Sequence, residues 1–470
     1  MKKIIFFELN EVPFRVMDEF CDRYPHSTLA KIRPRCHEYK THAKDEGMLE
    51  PWITWPSVHR GVSNQNHQIH DYNQPLDSTD QQYPPIWKIL RNHNIKTGVF
   101  ASLHSYPLPE NFSDYAFYIP DPFASESHCH PVEASSFQEF NLMMSRISGK
   151  NVSSKILLGP ATKLVLNSGK LGLRPSTFLD IGRQVSHEII DSKVVVRRRS
   201  YQTILAFDIF MKLLKTKKPE FTTFFTNHVA SAMHRYWAAT FPSDYDADKI
   251  KPEWQRDYRD EISFAMQKFD QFLKRLVEFV DRNKDYKLIV LGSMGQAATD
   301  LPYYTNSMIV ITDMTSLMQA LGLKEGDWQI KAAMVPQVNL VICPAQVEAF
   351  RTAIESFSID GQQLIYREDE GGFFSLDFSF PDIQSDQAHL LGKVFKLTDV
   401  GLKNEQLQDG VRVSGWHTPE GAMIIYDPDA ETGTKSNQIS TLSICPSLLE
   451  NYGIPIPDYM CDERIAEVFA

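Results

Sequence analysis

A chain of 470 residues, 42% apolar and 23% charged, with no low-complexity tract or internal repeat, has ample apolar surface for a large core, which excludes a disordered or fibrous protein. Its net charge of −10 argues against a broad nucleic-acid footprint, although a local basic patch can still hold an anionic substrate. The opening "MKKIIFFELNE" has too short an apolar run for a secretory leader, and the longest apolar window, "SSKILLGPATKLVLNSG", is interrupted by Pro160 and Lys163. With six cysteines scattered and no CxxC spacing, the expectation is a cytoplasmic chain with free thiols and no membrane span.

Residues 2–9, "KKIIFFEL", read as a buried parallel strand feeding the helical pattern "VPFRVMDEFCDRY". The same syntax returns in "PIWKILRNHN" before "KTGVFAS", and in "FAMQKFDQFLKRLVEFVDRN" before "YKLIVLGS". The predicted class is therefore α/β, a mainly parallel central sheet flanked by helices on both faces. Two stretches break the alternation. Residues near 130–218 read as a mostly helical insertion; its basic run "VVVRRRS", Arg197 to Arg199, fits a solvated face or a phosphate or lipid-headgroup contact. Residues 305–405 read as a small inserted α/β cap, leaving 1–304 and 406–470 as the core domain.

Functional groups of parallel sheets collect beyond the carboxyl ends of strands, which selects Glu8 to Glu11, "TNHVASAMHRYW", "GSMGQ" and "SGWHTPEG". Alternation along the first strand puts Glu8 and Asn10 on one side, with Glu11 pointing elsewhere or belonging to the turn. A carboxylate here can bind a metal or act as a base, and turn or cap chemistry uses the same residues. His228 and His234, on a strand-end loop and the helix after it, can converge with His417, which Gly415 and Gly421 flank. Three neutral imidazoles with an open fourth position suit Zn²⁺; taken singly, each fits a structural role better than a ligand's, and their common place at strand ends evens the balance. Thr54 in "ITWPS" reads as a helix N-cap or as a nucleophile on a strand-to-helix turn. Among His59, His67 and His70, one can orient substrate or accept a proton.

The order of these motifs resembles the alkaline phosphatase superfamily, in its type I phosphodiesterase/nucleotide pyrophosphatase branch, over nearly the whole chain. "FFELNEV" stands where that family ends its first strand in Asp-Gly, and "TWPSVHRGVSNQNHQI" follows the layout of its nucleophile turn with Thr54, Gly61, His67 and Ile69. "HRYW" is similar to the end of its Asp-x-x-x-His motif, "HTPEG" to the segment with its last metal His, and "ISTLSICPSLLENYGIPIP" to its closing helix.

The resemblance implies an alkaline phosphatase-like fold. It also implies Thr54 as nucleophile or substrate-positioning residue, with Asn10 at the strand end, Glu8 or a His as activator, and His67 and Ser293 toward substrate. Asn10, Ser293, Met294 and Ala230 depart from the family pattern. One of its two metal positions becomes Asn10, Thr54, Ser293 and Met294, a poor cage for a dication, so that position is expected to be empty. The other is expected to survive as His228, His234 and His417 holding one divalent ion, Zn. The expected function is a phosphodiesterase-like hydrolase acting on a phosphate or related ester of a sugar, lipid or nucleotide conjugate. Its rivals are non-hydrolytic group transfer in a biosynthetic pathway and a pseudoenzyme that binds a ligand.

Overall fold

The computed structural model describes residues 1–72, 74–148, 158–246, 250–299, 306–331, 333, 337–406, 413–461 and 463–469. The chain divides into two compact units, one of Met1–Asn141, Leu157–Pro302 and Val413–Ala470, the other of Leu142–Ile156 and Tyr303–Arg412. The cap boundary expected at 304/305 lies outside the described residues.

The first unit is built on strands β1 (Lys3–Leu9), β2 (His37–His42), β3 (Thr97–Phe100), β4 (Phe117–Ile119), β5 (Phe221–Thr226), β6 (Tyr286–Leu291), β7 (Gly295–Ala298), β8 (Gly415–Thr418), β9 (Glu420–Tyr426) and β10 (Lys435–Ser440). Eight of them form one sheet in the order β10-β2-β9-β6-β1-β5-β3-β4. Its pairings are parallel except those of β9, which runs against both β2 and β6. Helices flank the sheet, among them α1 (Pro51–Arg60), α3 (His228–Thr240) and α4 (Glu261–Arg282), while α2 (Pro175–Ile190) packs on the helix Arg198–Lys217. The sheet is thus mainly parallel, as the alternating syntax predicts.

The near-continuous apolar run of β1 is explained by its place: Ile4, Ile5, Phe6 and Phe7 are all inaccessible because β1 lies between β5 and β6 with both faces covered. Around Phe7, the rings of Phe207, Phe224 and Phe269 pack at centroid distances of 6.4, 5.3 and 5.6 Å. Register then aligns the strand ends. Glu8 pairs with Phe225 on one side and Leu291 on the other, so the chain leaves all three central strands at one level. Asn10 and Glu11, Asn227 and His228, and Ser293 and Met294 emerge there together. Beside them β7 and β8 form an antiparallel ribbon in which Gln296 faces His417.

The second unit is mostly antiparallel. One four-stranded sheet runs Ile365–Asp369, Phe373–Asp377, Gln337–Ile342, Trp328–Lys331, another contains Ser358–Ile359 and Gln387–Leu390, and the helices Met314–Ala320 and Val347–Glu355 contribute to its apolar core around Leu340, Phe350 and Phe374.

Candidate metal centre

Thr54 lies one turn inside α1, which begins at Pro51 because proline at the first helical position loses no intrahelical hydrogen bond. The N-cap residue is Glu50, so the capping role considered for Thr54 does not hold. The Thr54 hydroxyl is fully buried, donating to the Glu50 carbonyl at 3.2 Å and lying 2.8 Å from Ser293 Oγ. Further along, Pro56 has no N–H for the Trp52 carbonyl four residues back, and His104 Nε2 donates to that oxygen at 2.7 Å. Burial, and then the Arg60 charge, push His104 down to about 3, so its ring is neutral. His104→Ala strands the carbonyl and is expected to destabilise the fold by about 1–3 kcal/mol, as read by chemical denaturation.

At the end of β1, Glu11 adopts φ 62°, a left-handed conformation uncommon for a non-glycine residue. That rotation turns its carboxylate inward, where it is 1% exposed. Glu11 Oε2 lies 3.1 Å from His234 Nε2 and 3.3 Å from His417 Nε2 and accepts a hydrogen bond from Gln296 Nε2; Oε1 accepts from Asn10 Nδ2 at 2.5 Å. One ligand atom each from Glu11, His234 and His417 fall within 4.8 Å of one another, the geometry of a cluster able to hold a metal ion. His234 Nδ1 donates to the Gly415 carbonyl at 2.9 Å, which orients the ring with Nε2 toward Glu11. His417 is different. Both its ring nitrogens are buried, Nδ1 3.6 Å from Glu50 Oε2, and neither makes a hydrogen bond.

Two glycines permit this convergence. A Cβ on Gly415 would stand 2.8 Å from the Met233 carbonyl of α3, and one on Gly421 would stand 2.6 Å from Thr41 Oγ1. Burial pushes the Glu11 carboxyl up, but the charges on His417 and His234 outweigh it and hold the group well below the usual carboxylate range. Glu50 goes the other way: burial, with the Glu11 charge added, raises it to about 8.

His228 does not join the cluster, which corrects the three-His set. It is the first residue of α3, with Nδ1 on Thr226 Oγ1 at 2.7 Å and Nε2 donating to the Ala265 carbonyl at 3.1 Å, so both nitrogens serve packing. His228→Ala is expected to leave metal content unchanged while costing about 1–3 kcal/mol, as read by elemental analysis and denaturation of the same sample. His67 also differs from expectation. Its Nδ1 accepts from the Ile69 N–H and its Nε2 donates to Ser57 Oγ, both at 2.9 Å, in a fully buried turn that presents neither nitrogen to a ligand. Glu8 lies beneath the site, accepting from His59 Nε2 at 2.8 Å and Ser102 Oγ at 3.1 Å. His59 stacks on Trp55, whose Nε1 donates to Asn10 Oδ1 at 2.7 Å; Glu8 thus reaches Asn10 only through other side chains. Asn10 Nδ2 also donates to Asn227 Oδ1 at 2.7 Å. Ser293 and Met294 are both inaccessible.

No family model matches the chain, and no curated protein matches it. Among solved structures, it is similar to murine ectonucleotide pyrophosphatase/phosphodiesterase 5 at 9% identity and a TM-score of 0.42, with 97% of this chain and 96% of that one covered. An inactive form of the murine protein in complex with AMP gives 10% identity and 0.43 over the same shares. Phosphonoacetate hydrolase from Sinorhizobium meliloti 1021, in complex with phosphonoformate, gives 12% and 0.38, with 94% of each chain covered. At such identities the chemistry of the site is read from its own residues.

Proposed function

We propose that this chain is a phosphodiesterase-like hydrolase acting on a phosphate or related ester, with one divalent cation held by Glu11, His234 and His417 and with Thr54 as the nucleophile. The observation that carries the reading is the convergence of these three side chains, in which the buried nitrogens of His417 have no hydrogen bond to make. Nε2 of His417 faces Glu11 only at 3.3 Å, and an ion at the cluster would take up that nitrogen as a ligand. Two imidazoles and a carboxylate are a donor set that zinc accepts.

The companion position does not fit a cation. Thr54 and Ser293 hydrogen-bond each other, Asn10 is engaged by Trp55, Asn227 and Glu11, and Met294 adds only a thioether, so no charge there offsets a dication. When bound at the first position, the ion supplies Lewis-acid stabilisation of charge on a phosphoryl oxygen. The chain's own residues do the rest. Asn10 and Gln296 hold Glu11 in its inward conformation, Gly415 holds the His234 tautomer, and α1 places the Thr54 hydroxyl near its N-terminus, an end that favours an anion.

The test is hydrolysis of bis(p-nitrophenyl) phosphate before chelation, after chelation and after zinc is restored. Loss and recovery of turnover is expected; turnover that survives exhaustive chelation contradicts the reading.

A further inference from the structure

Helix α2 is amphipathic in reverse. Its two buried positions are polar, Thr177 donating to Asp208 Oδ2 at 2.5 Å and Gln184 Nε2 to the Val194 carbonyl at 2.8 Å, while Phe178, Ile181 and Glu188, which pairs with Arg198, are half-buried. At about 100° per residue from Thr177, Leu179 falls at about 200°, Val185 at about 80° on the flank, and Ile189 and Ile190 at about 120° and 220°, with Gly182 and Ser186 between them on the outer side. They are 55, 36, 83 and 83% exposed. A surface helix ordinarily turns its apolar stripe to the core, so this face has another destination. An earlier helix, Leu158–Leu166, separated from α2 by the short helix Ser168–Leu171, leaves Val165 and Leu166 exposed as well.

Charge frames the face. Residues 158–218 contain twelve Lys or Arg against four Asp or Glu, in a chain whose net charge is −10. Arg197 and Arg198 of the basic run are paired with Glu261 and Glu188, Lys163 with Glu139 and Lys193 with Asp257, and Arg183 reaches Asp180 at 3.4 Å from an exposed position; Lys170 and Arg174 are exposed beside α2. Aliphatic side chains rimmed by cations of one sign are the pattern of a helix lying in a bilayer interface; protein interfaces favour aromatic anchors and are poor in Lys. A second copy is disfavoured because pairing would bring two like-charged regions together.

We propose that the exposed face of α2 docks the protein on the surface of an anionic phospholipid bilayer, with Leu179, Val185, Ile189 and Ile190 entering the headgroup boundary and the surrounding Lys and Arg meeting lipid phosphates. No helix among the described residues is long and apolar enough to cross a membrane, so the contact is peripheral. It does not depend on the reading of the metal centre.

The experiment is flotation of the full chain with phosphatidylcholine vesicles, with and without phosphatidylglycerol, at low and high salt. Binding to the anionic vesicles that weakens with salt is expected, together with a loss of about tenfold or more in the I189S/I190S double variant. Both replaced side chains are exposed, so the variant keeps its fold, which circular dichroism verifies. Failure of the folded wild type to bind anionic vesicles overturns the proposal, as does equal binding by the double variant. A dimer abolished by the same substitutions, without vesicle binding, also overturns it and assigns the face to a second copy.

Discussion

Replacing His417 by alanine is expected to remove bound metal and turnover together while leaving the fold intact. The substitution takes away one of three ligands, so its effect should exceed the roughly 10–100-fold that outer-shell substitutions cost a metal site. The ion-pair contact of His417 with Glu11 at 3.3 Å is lost in the variant, but Glu11 keeps His234 at 3.1 Å together with Gln296 and Asn10, so the fold is retained with a modest fall in stability. That outcome separates a ligand from a packing residue such as His228, whose two nitrogens are both engaged. Metal content, turnover and the denaturation midpoint are measured on one preparation. Unchanged metal and turnover in His417→Ala would remove it from the site.

Thr54→Ala is expected to lower turnover by on the order of 10³-fold or more, whereas Thr54→Ser, which keeps a hydroxyl, should stay within about tenfold of the native chain. Loss of the hydroxyl strands Ser293 Oγ at a cost of about 1–2 kcal/mol, too little to unfold a protein of ordinary stability. Acid quenching during turnover of bis(p-nitrophenyl) phosphate, in which one p-nitrophenolate leaves as the Thr54 oxygen bonds phosphorus, followed by mass measurement, should find a chain carrying a p-nitrophenyl phosphoryl group for the threonine and serine forms and none for alanine. A mere tenfold loss in Thr54→Ala, with no adduct in any form, would reduce Thr54 to positioning substrate.

The sheet was legible because strands buried on both faces leave long apolar runs, and the strand-end rule then led to the right loops. Glu11 escaped. Simple alternation sends a residue after Asn10 away from the site, and only its positive φ brings the carboxylate back, a conformation that sequence flags for Gly or Asn but not for Glu. His228 was misassigned because the helix starts at His228 itself, so His234, six positions on, lies on another face. The start of α1 did carry a signal in "EP": Pro51 at the first helical position places the cap at Glu50 and Thr54 a turn inside. For the 305–405 segment, short strands around a helix say nothing about whether their pairing is parallel, and the structure makes them antiparallel.

One cation on Glu11, His234 and His417 is what the proposed chemistry requires. Elemental analysis of protein purified without chelator and without a His-tag tests it directly. About one zinc per chain, lost in His417→Ala and kept in His228→Ala, is the expected result; no metal, or two per chain, would contradict it.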